Sequence, residues 1–501
     1  MAVARSYDTV VIGGGVIGWS VAWWLKHRSP TMSIGVVERD PTLRIASTVL
    51  SAGSIRQQFS LVENIDISLF GAQFIKDIDS YLGVPGSVDG PVGVDFVEGG
   101  YLFLGSEKSL PILRDNFALQ QERGADNVML SADELAARFP WMNVDGVAAG
   151  TLGLSNEGWF DPWSLQRAFK DAAQREGCEL VRGEVRSGRR DPEDGQLHSI
   201  TTGDGETVRC GAVVNAAGAW ASELIGALGV GRAEDYPVRR RKRLIFALDC
   251  PTGPTEDCPL VVDPSGVYFR REGEGGGSTF ITGKSPDEED DPDCTDDALD
   301  AVTADDHAFF EEQIWPVIAE RVPAFEAIKV KSSWAGFYDY NTFDHNAIVG
   351  AHPECSNLFL ANGFSGHGLQ QVRHHERSLS VRPLFVRFSS AFRPHQRSVA
   401  GRPGRGGRRD AASECQTRMT LSYLNHLQIF PTLSLSLTHK CVTPFQNSPH
   451  THTHTHTPQA PAVGRAVSEL IIDGTFQTID LTRFGPERLA RGEKVLERNI
   501  V

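Results

Sequence analysis

The N-terminal part of the chain alternates short apolar runs with a longer helical segment. Residues 9–12 are β-branched and apolar, residues 19–26 have a helix-compatible composition, and residues 34–37 form a second short apolar run. Glycines separate the first run from the helical segment. This order predicts a strand, a tight turn, a helix and a second strand, which together open a doubly wound α/β sheet.

The rest of the pattern alternates helical and strand-like regions. Helices are predicted over 62–82, 107–124, 131–139, 222–228 and 306–321. Strands are predicted within 94–103, 183–185, 200–202, 212–216, 244–248, 260–262, 267–269 and 358–361. The acidic run 287–306 lacks the alternating spacing and central glycine of a calcium loop, so we interpret it as a solvated loop.

Composition narrows the class of protein. A chain of 501 residues is too long for a single core, so two or three domains are expected. The net charge of −15 disfavours nucleic acid and anionic membranes as partners. No run approaches the ~20 apolar residues of a transmembrane segment. Eight scattered cysteines show no metal-ligand spacing, which indicates a reducing compartment and no metal site.

A glycine motif marks the first turn as a nucleotide site. Gly13, Gly15 and Gly18 form G-x-G-x-x-G. The first glycine permits the turn, the second lets a pyrophosphate approach the backbone, and the third allows the helix to pack closely. Glu38 follows about 20 residues later, where a carboxylate accepts hydrogen bonds from an unphosphorylated ribose. The pattern predicts a bound adenine dinucleotide; the alternative is a glycine-rich turn without a special role.

Two further segments could contact the same ligand. Ser47 and Thr48 lie in a small-residue segment that suits a loop around a diphosphate, with a solvated loop as the alternative. Arg56, in the same segment, could hold a substrate carboxylate or could lie on the surface. The strand that leads to Ala217 and Gly218 could place its backbone against the dinucleotide, or could end in a plain strand–helix turn.

Five segments, in this order, resemble one enzyme family. They are the glycine motif with Glu38 and the segments 156–163, 213–220, 334–341 and 363–368. Together they resemble the D-amino-acid-oxidase-like FAD-dependent oxidoreductases, the group that includes sarcosine oxidase and dimethylglycine dehydrogenase. The resemblance extends over 6–371 and resumes at 460–501. It implies FAD rather than NAD, and an α/β fold with a Rossmann-like FAD-binding domain and a second, mostly antiparallel β-sheet substrate domain.

The resemblance implies that both domains are assembled from separate segments of the chain. The FAD-binding domain would comprise 6–85, 151–235, 336–371 and 460–480. The substrate domain would comprise 86–150 and 236–335. Residues 481–501 would form a C-terminal extension.

The resemblance also implies the residues of the site. The positions that match the family's FAD contacts are Gly13, Gly15, Gly18, Glu38, Arg39, Ser47, Thr48, Val185, Ala217, Gly218, Gly363, Gly366, His367, Gly368 and Leu369. Tyr338 and Arg56 are the candidates for contact with substrate, and His367 could act as a base or could hold its own loop. Reduction would occur by hydride transfer to the flavin from the carbon next to an amine nitrogen.

Three departures from the family affect the predicted chemistry. Glycine and phenylalanine precede Tyr338 where several relatives have a cysteine that tethers FAD, so FAD is expected to be non-covalent. Residues 368–370 are Gly-Leu-Gln, which lacks the cation that sarcosine oxidase places near the flavin. No lysine within 276–283 matches the one that relatives use to activate oxygen. These changes favour a dehydrogenase, or a protein that keeps FAD mainly for structure, over an oxidase.

The implied substrate is a small amine or amino acid of the N-methyl glycine type. The most similar members of the group are mitochondrial and linked to respiratory complex I, so complex I subunits or assembly factors are implied partners. The alternative is an assembly chaperone that binds FAD without turnover. Mitochondrial location rests on the resemblance, because one Arg in residues 1–8 is too little for a transit peptide. We otherwise expect a cytosolic protein or a sequence that lacks its first exon.

Residues 372–459 differ in composition from the rest of the chain. They are rich in Arg and His, with a Gly/Arg-rich run at 401–409 and a Thr-His repeat at 451–456, and they predict a low-complexity disordered insert. An RNA-binding segment and a histidine metal site are the functional alternatives.

We favour a retained intron for this insert. Without it, residues 371 and 460 join in the uninterrupted order of the family. The terminal Val and Gln codons fit intron boundaries, and a CA repeat encodes Thr-His. Spliced messenger RNA is therefore expected to join codons 371 and 460, which sequencing across that junction would show. A dominant transcript that retains the whole segment would contradict this prediction.

Overall fold

The computed structural model describes residues 5–84, 92–255, 257–272, 277–366 and 459–498. All of them belong to one unit. The predicted insert, 372–459, lies outside the described residues except for Gln459, which begins a helix. The predicted site residues His367, Gly368 and Leu369 also lie outside them.

Strands provide the framework of both layers. In chain order they are β1 Arg5–Ile12, β2 Ile34–Glu38, β3 Ser54–Ile55, β4 Tyr101–Gly105, β5 Asn127–Ser131, β6 Ala149–Gly153, β7 Gly158–Trp159, β8 Glu179–Arg182, β9 Val185–Arg190, β10 Leu197–Thr202, β11 Thr207–Asn215, β12 Val238–Asp249, β13 Leu260–Val262, β14 Tyr268–Arg271, β15 Thr279–Gly283, β16 Lys329–Asn341, β17 Ile348–His352 and β18 Cys355–Asn362. The strand prediction within 94–103 was wrong before residue 101, where one isolated bridge joins Val97 to Trp159.

Helices connect and cover these strands. They are α1 Val16–Arg28, α2 Ser47–Leu50, α3 Val62–Lys76, α4 Ile78–Leu82, α5 Leu110–Glu122, α6 Ala132–Arg138, α7 Pro162–Arg175, α8 Ala221–Ala227, α9 Ala304–Phe309, α10 Trp315–Arg321, α11 Gln459–Asp473 and α12 Glu487–Arg491. The helix predicted over 62–82 is interrupted at Asp77, and a π-helical turn joins α9 to α10. Ser131 caps α6 in a capping box with Glu134, as its sequence pattern indicates.

The first sheet has the order β17-β18-β11-β1-β2-β8; in addition, β10 pairs with β11 and β9 pairs with β10. Strand β1 is parallel to both β2 and β11, so their carboxyl ends lie at one edge. Buried apolar side chains lie on both faces of the sheet. This is the doubly wound arrangement that the N-terminal pattern predicts.

Helix α11 returns the C-terminal part of the chain to this sheet and packs against α1. A Cβ on Gly464 would lie 2.2 Å from the Ser20 Oγ, so a larger residue would separate the two helices. The Ser20 hydroxyl donates a hydrogen bond of 2.7 Å to the Ala460 carbonyl. This contact anchors α11 on the helix that follows the glycine motif.

The second sheet has the order β16-β12-β15-β14-β13-β4-β6-β5 and is antiparallel except for the β13–β4 pair. Strands β12 and β16 are its longest, and they pair from Val238 opposite Asn341 to Asp249 opposite Lys329. Their length carries them beyond the second sheet to the edge of the first. The predicted fold class, a Rossmann-like domain with a mostly antiparallel second sheet, is confirmed.

The acidic run 287–306 is largely exposed, as the solvated-loop interpretation predicts, but its carboxylates also pair with the second sheet. Five consecutive basic residues on β12, 239–243, face it, and each forms an ion pair with a carboxylate from this run. The Arg243–Asp291 pair is buried, with N–O distances of 2.7 and 2.8 Å. Burial of these charges requires partners, which the acidic run supplies.

The predicted C-terminal extension packs against the turn between β16 and β17. The Arg488 guanidinium donates hydrogen bonds of 2.7 and 3.0 Å to the two carboxylate oxygens of Asp344. Both side chains are buried. In the part of the chain that the structure describes, no helix is long and apolar enough to cross a membrane, and no cluster of side chains has the composition of a metal site.

Candidate cofactor and active site

A cavity of about 480 Å³ lies at the edge of the first sheet where β1, β2 and β11 end. Its other wall is formed by Phe337, Tyr338 and Asp339 of β16, from the second sheet. Ligands of doubly wound sheets bind beyond the carboxyl ends of the strands. The volume lies within the ~300–1,000 Å³ of typical small-molecule sites.

Most of the predicted residues line this cavity. Among the described residues, those in its wall are Gly13, Gly15, Glu38, Arg39, Ser47, Thr48, Val185, Ala217, Gly218, Tyr338 and Gly366. Gly18, Arg56 and Gly363 do not line it. Segments far apart in sequence therefore meet at one site, as the family resemblance implies.

Each of the three motif glycines is required at its position for a different structural reason. Gly13 has φ +113°, and a Cβ there would lie 2.2 Å from the Ala216 carbonyl oxygen. A Cβ on Gly18 would lie 1.9 Å from the Gly13 carbonyl oxygen. At Gly15, the nearest described neighbour of a Cβ would be the Thr48 Oγ1, at 3.3 Å. Gly13 therefore allows the segment after β11 to approach the turn, Gly18 serves the turn itself, and Gly15 leaves open space in the cavity.

The N-terminus of α1 faces the cavity at Gly15, its N-cap residue. The first turn of this 13-residue helix contains no acidic residue among those the structure describes. The positive end of the helix dipole is therefore not offset by a carboxylate within that turn, and it favours an anion. This arrangement fits a diphosphate beside Gly15.

Glu38 is held in place by backbone amides. Its Oε2 accepts a hydrogen bond of 2.7 Å from the Gly14 N–H, and its Oε1 accepts one of 2.7 Å from the Asp40 N–H. Val185, at the start of β9, lines the same cavity. Glu38 thus lies at the end of β2 where the motif requires a ribose acceptor.

Arg39 belongs to a cluster that links the two sheets across the cavity wall. Its guanidinium lies 4.1 Å from the centroid of the Trp220 ring and 3.3 Å from Asp296. The Trp220 indole donates a hydrogen bond of 2.8 Å to Asp296, and Arg240 forms an ion pair of 2.9 Å with the same carboxylate. Asp296 comes from the acidic run, so that run forms part of the cavity wall.

Tyr338 of β16 also lines the cavity. It is buried, and the Arg243 guanidinium lies 4.6 Å from the centroid of its ring. A Cβ on Gly366 would lie 2.2 Å from that ring, so the turn after β18 approaches the ring closely. Tyr338 and Gly366 therefore meet at the flavin end of the predicted site.

Arg56 is buried rather than exposed on the surface, but it lies away from this cavity. Its guanidinium is 4.4 Å from the centroid of the Phe59 ring and 4.8 Å from that of Phe103. Nearby, Glu157 accepts hydrogen bonds from the Gln57 N–H and the Gln58 side chain, and burial raises its pKa to about 7. The role predicted for Arg56 in holding a substrate carboxylate stays a prediction.

Sequence reasoning missed several charged residues of the cavity wall, among them Arg240, Asp296 and Asp339. The consecutive basic residues at 239–243 were a visible signal, because such a run inside a predicted strand needs carboxylate partners. Asp339 directly follows the predicted substrate contact Tyr338, and this position was the signal that it could lie near the site.

Together, these observations test whether a dinucleotide fits. The open space at Gly15 and the α1 dipole suit the diphosphate, Glu38 suits the ribose, and the apolar part of the wall suits aromatic rings. The cavity runs from the glycine turn to Tyr338, which matches an extended ligand. The residues present therefore fit the predicted cofactor.

Comparisons with known proteins agree with this fit. The family model described as DAO, FAD dependent oxidoreductase, matches residues 8–373. FAD-dependent oxidoreductase domain-containing protein 1 is 39% identical in Xenopus laevis, covering 99% of this chain and 85% of that protein. The Bos taurus protein is 43% identical, covering 73% of this chain and 78% of its own length.

Solved structures show the same fold. The L-proline dehydrogenase from P. horikoshii has a TM-score of 0.69 and 20% identity, covering 98% of this chain and all of that one. Glycine oxidase from Geobacillus kaustophilus has a TM-score of 0.58 and 23% identity, covering 73% and 91% of the two chains. The chain therefore belongs to the DAO family of FAD-dependent oxidoreductases.

Proposed function

We propose that this protein uses FAD to oxidise a small amino acid of the N-methyl glycine type. The observation that supports this most directly is the continuous cavity from the glycine turn to Tyr338, which leaves the flavin end against the second sheet. Relatives and neighbours named sarcosine dehydrogenase, glycine oxidase and L-proline dehydrogenase all carry the name of an amino acid substrate. Because these proteins are only 20–24% identical to this chain, their names support the class of substrate, an amino acid, and no particular compound.

The chain's own residues would hold FAD in a defined direction. Gly15 and the N-terminus of α1 would bind the diphosphate, and Glu38 would accept the ribose hydroxyls. When bound, FAD would supply the hydride acceptor for oxidation of the carbon beside the substrate nitrogen. Non-covalent FAD is part of the proposal, because glycine and phenylalanine precede Tyr338 where several relatives have the tethering cysteine.

Tyr338 would position the reacting groups. Its ring is fixed between the Arg243 guanidinium and the backbone of Gly366, so it presents a rigid wall at the flavin end. Burial of this wall excludes water from the place where the hydride moves. Tyr338 is therefore our candidate for contact with substrate.

Anaerobic reduction tests the proposal. We expect the oxidised flavin band of the purified protein to bleach when sarcosine, dimethylglycine or proline is added without oxygen. Dimethylamine keeps the nitrogen but lacks the carboxylate, so it is the matched control and should bleach the band more slowly. Absence of bleaching with every secondary and tertiary amine would contradict the proposal.

A second candidate is a mitochondrial assembly factor for complex I that binds FAD without turnover. The relatives with 39–43% identity are named for their FAD-dependent domain and not for a substrate. The sarcosine dehydrogenases among the more distant relatives are named as mitochondrial, which supports that location. Stable FAD binding without bleaching, together with co-purification of complex I subunits, would favour this candidate.

A further inference from the structure

Asp339 is a buried carboxylate in the cavity wall, next to Tyr338 on β16. Its Oδ2 accepts a hydrogen bond of 3.0 Å from the Phe364 N–H. Its main-chain oxygen accepts one of 3.1 Å from the Ser365 N–H. The side chain and the main chain of Asp339 therefore both accept hydrogen bonds from the same turn, residues 363–366, which follows β18.

This turn has a backbone that needs support. Gly363, Ser365 and Gly366 have φ values of +69°, +47° and +82°. A non-glycine residue in this region is strained and persists only where its surroundings hold it. Ser365 is fully buried, and its hydroxyl accepts a hydrogen bond of 2.9 Å from the Asn341 N–H. The turn is thus held against β16 at several points.

Two opposing effects act on the Asp339 carboxylate. Burial raises the pKa of Asp339 to about 6, and the backbone amides of Phe364, Gly363 and Gly366 act in the opposite direction. Those amides point at the carboxylate, so its charged form holds the turn more strongly.

Other ionisable groups surround Asp339. Arg240 is its partner in the register of β12, and Arg240 is itself paired with Glu223 and Asp296. Tyr338 and Tyr340 flank it on β16, and residues 363–366 contain no ionisable side chain. The amides of the turn are thus its principal hydrogen-bond donors among the described contacts.

We propose that ionised Asp339 is a positioning residue for FAD, which fixes the 363–366 turn in the conformation that completes the flavin end of the cavity. Protonation of Asp339 loosens the turn and weakens FAD binding. This role concerns the cofactor and does not depend on the identity of the substrate.

Binding of FAD to the full chain, stripped of its cofactor, tests the proposal. The wild-type Kd should rise roughly fourfold between about pH 7.5 and about pH 5.5, because the ionised fraction of a group with a pKa of about 6 falls to about a quarter. In Asp339→Asn the Kd near neutral pH should rise about tenfold, since the charge-assisted hydrogen bonds are lost. Its Kd should no longer change between the two pH values.

Glu157→Gln is the matched control. Glu157 is another buried carboxyl with a pKa raised to about 7, but it lies outside the cavity wall. This variant should keep the wild-type Kd and its pH dependence; loss of that dependence in Glu157→Gln would overturn the proposal. So would an Asp339→Asn variant with the wild-type Kd and pH profile. If Asp339→Asn does not fold, a wild-type Kd that is equal at both pH values overturns it.

Discussion

Replacement of Gly15 by alanine is expected to raise the Kd for FAD at least about 100-fold, equivalent to ~2.7 kcal/mol, without loss of the fold. Gly15 has φ −69°, which any residue adopts. Its new Cβ would meet the Thr48 Oγ1 at 3.3 Å and otherwise enter cavity space. The methyl group would therefore displace the diphosphate from the N-terminus of α1. FAD titration of the stripped protein measures the effect.

Two other glycines define the controls for this variant. A Cβ on Gly93 would lie 4.0 Å from its nearest described neighbour, so Gly93→Ala should keep the wild-type Kd. Gly18→Ala should destabilise the protein itself, because its Cβ would lie 1.9 Å from the Gly13 carbonyl oxygen. Thermal unfolding of the stripped variants separates the two effects. A Gly15→Ala variant that binds FAD normally would contradict the placement of the diphosphate.

Asp291→Ala is expected to lower the free energy of unfolding by roughly 3–5 kcal/mol, because it leaves the Arg243 guanidinium buried without its carboxylate. Arg243 also stacks on Tyr338, so the variant should lose FAD occupancy as well. Denaturant unfolding measures the first effect, and flavin absorbance of the purified protein measures the second.

An exposed ion pair supplies the control for Asp291. The Arg167–Asp171 pair on α7 has an N–O distance of 3.4 Å, and both side chains are largely exposed. Asp171→Ala should change the free energy of unfolding by no more than ~0.5 kcal/mol. If Asp291→Ala and Asp171→Ala have equal effects, the Arg243–Asp291 pair does not support the cavity wall.

Local sequence patterns were sufficient to predict the features that depend on contacts between residues close in sequence. The glycine turn after β1 depends on contacts between neighbours in sequence, such as Gly18 with Gly13. The capping box at Ser131 and Glu134 is likewise contained within four residues. These features, and the strand–helix order around them, could therefore be predicted from the pattern of residues alone.

Local patterns failed where charges find partners far away in sequence. The acidic run reads as a solvated loop because its composition is that of exposed segments. In the fold this run lies against β12, and the paired residues Arg243 and Asp291 are 48 positions apart in sequence. Asp339 reads as an ordinary polar residue in a strand, since its hydrogen bond to Phe364 spans 25 residues.

The sequence by itself determined the dinucleotide turn, the family and the FAD cofactor, because these depend on short motifs in a fixed order. The tertiary structure decided which side chains surround the predicted flavin end of the cavity. Tyr338, Arg243, Asp339 and Gly366 meet there because β12 and β16 run from the second sheet to the edge of the first. The physical reason is that buried charges and strained turns are stabilised by partners that only long-range pairing brings within hydrogen-bond distance.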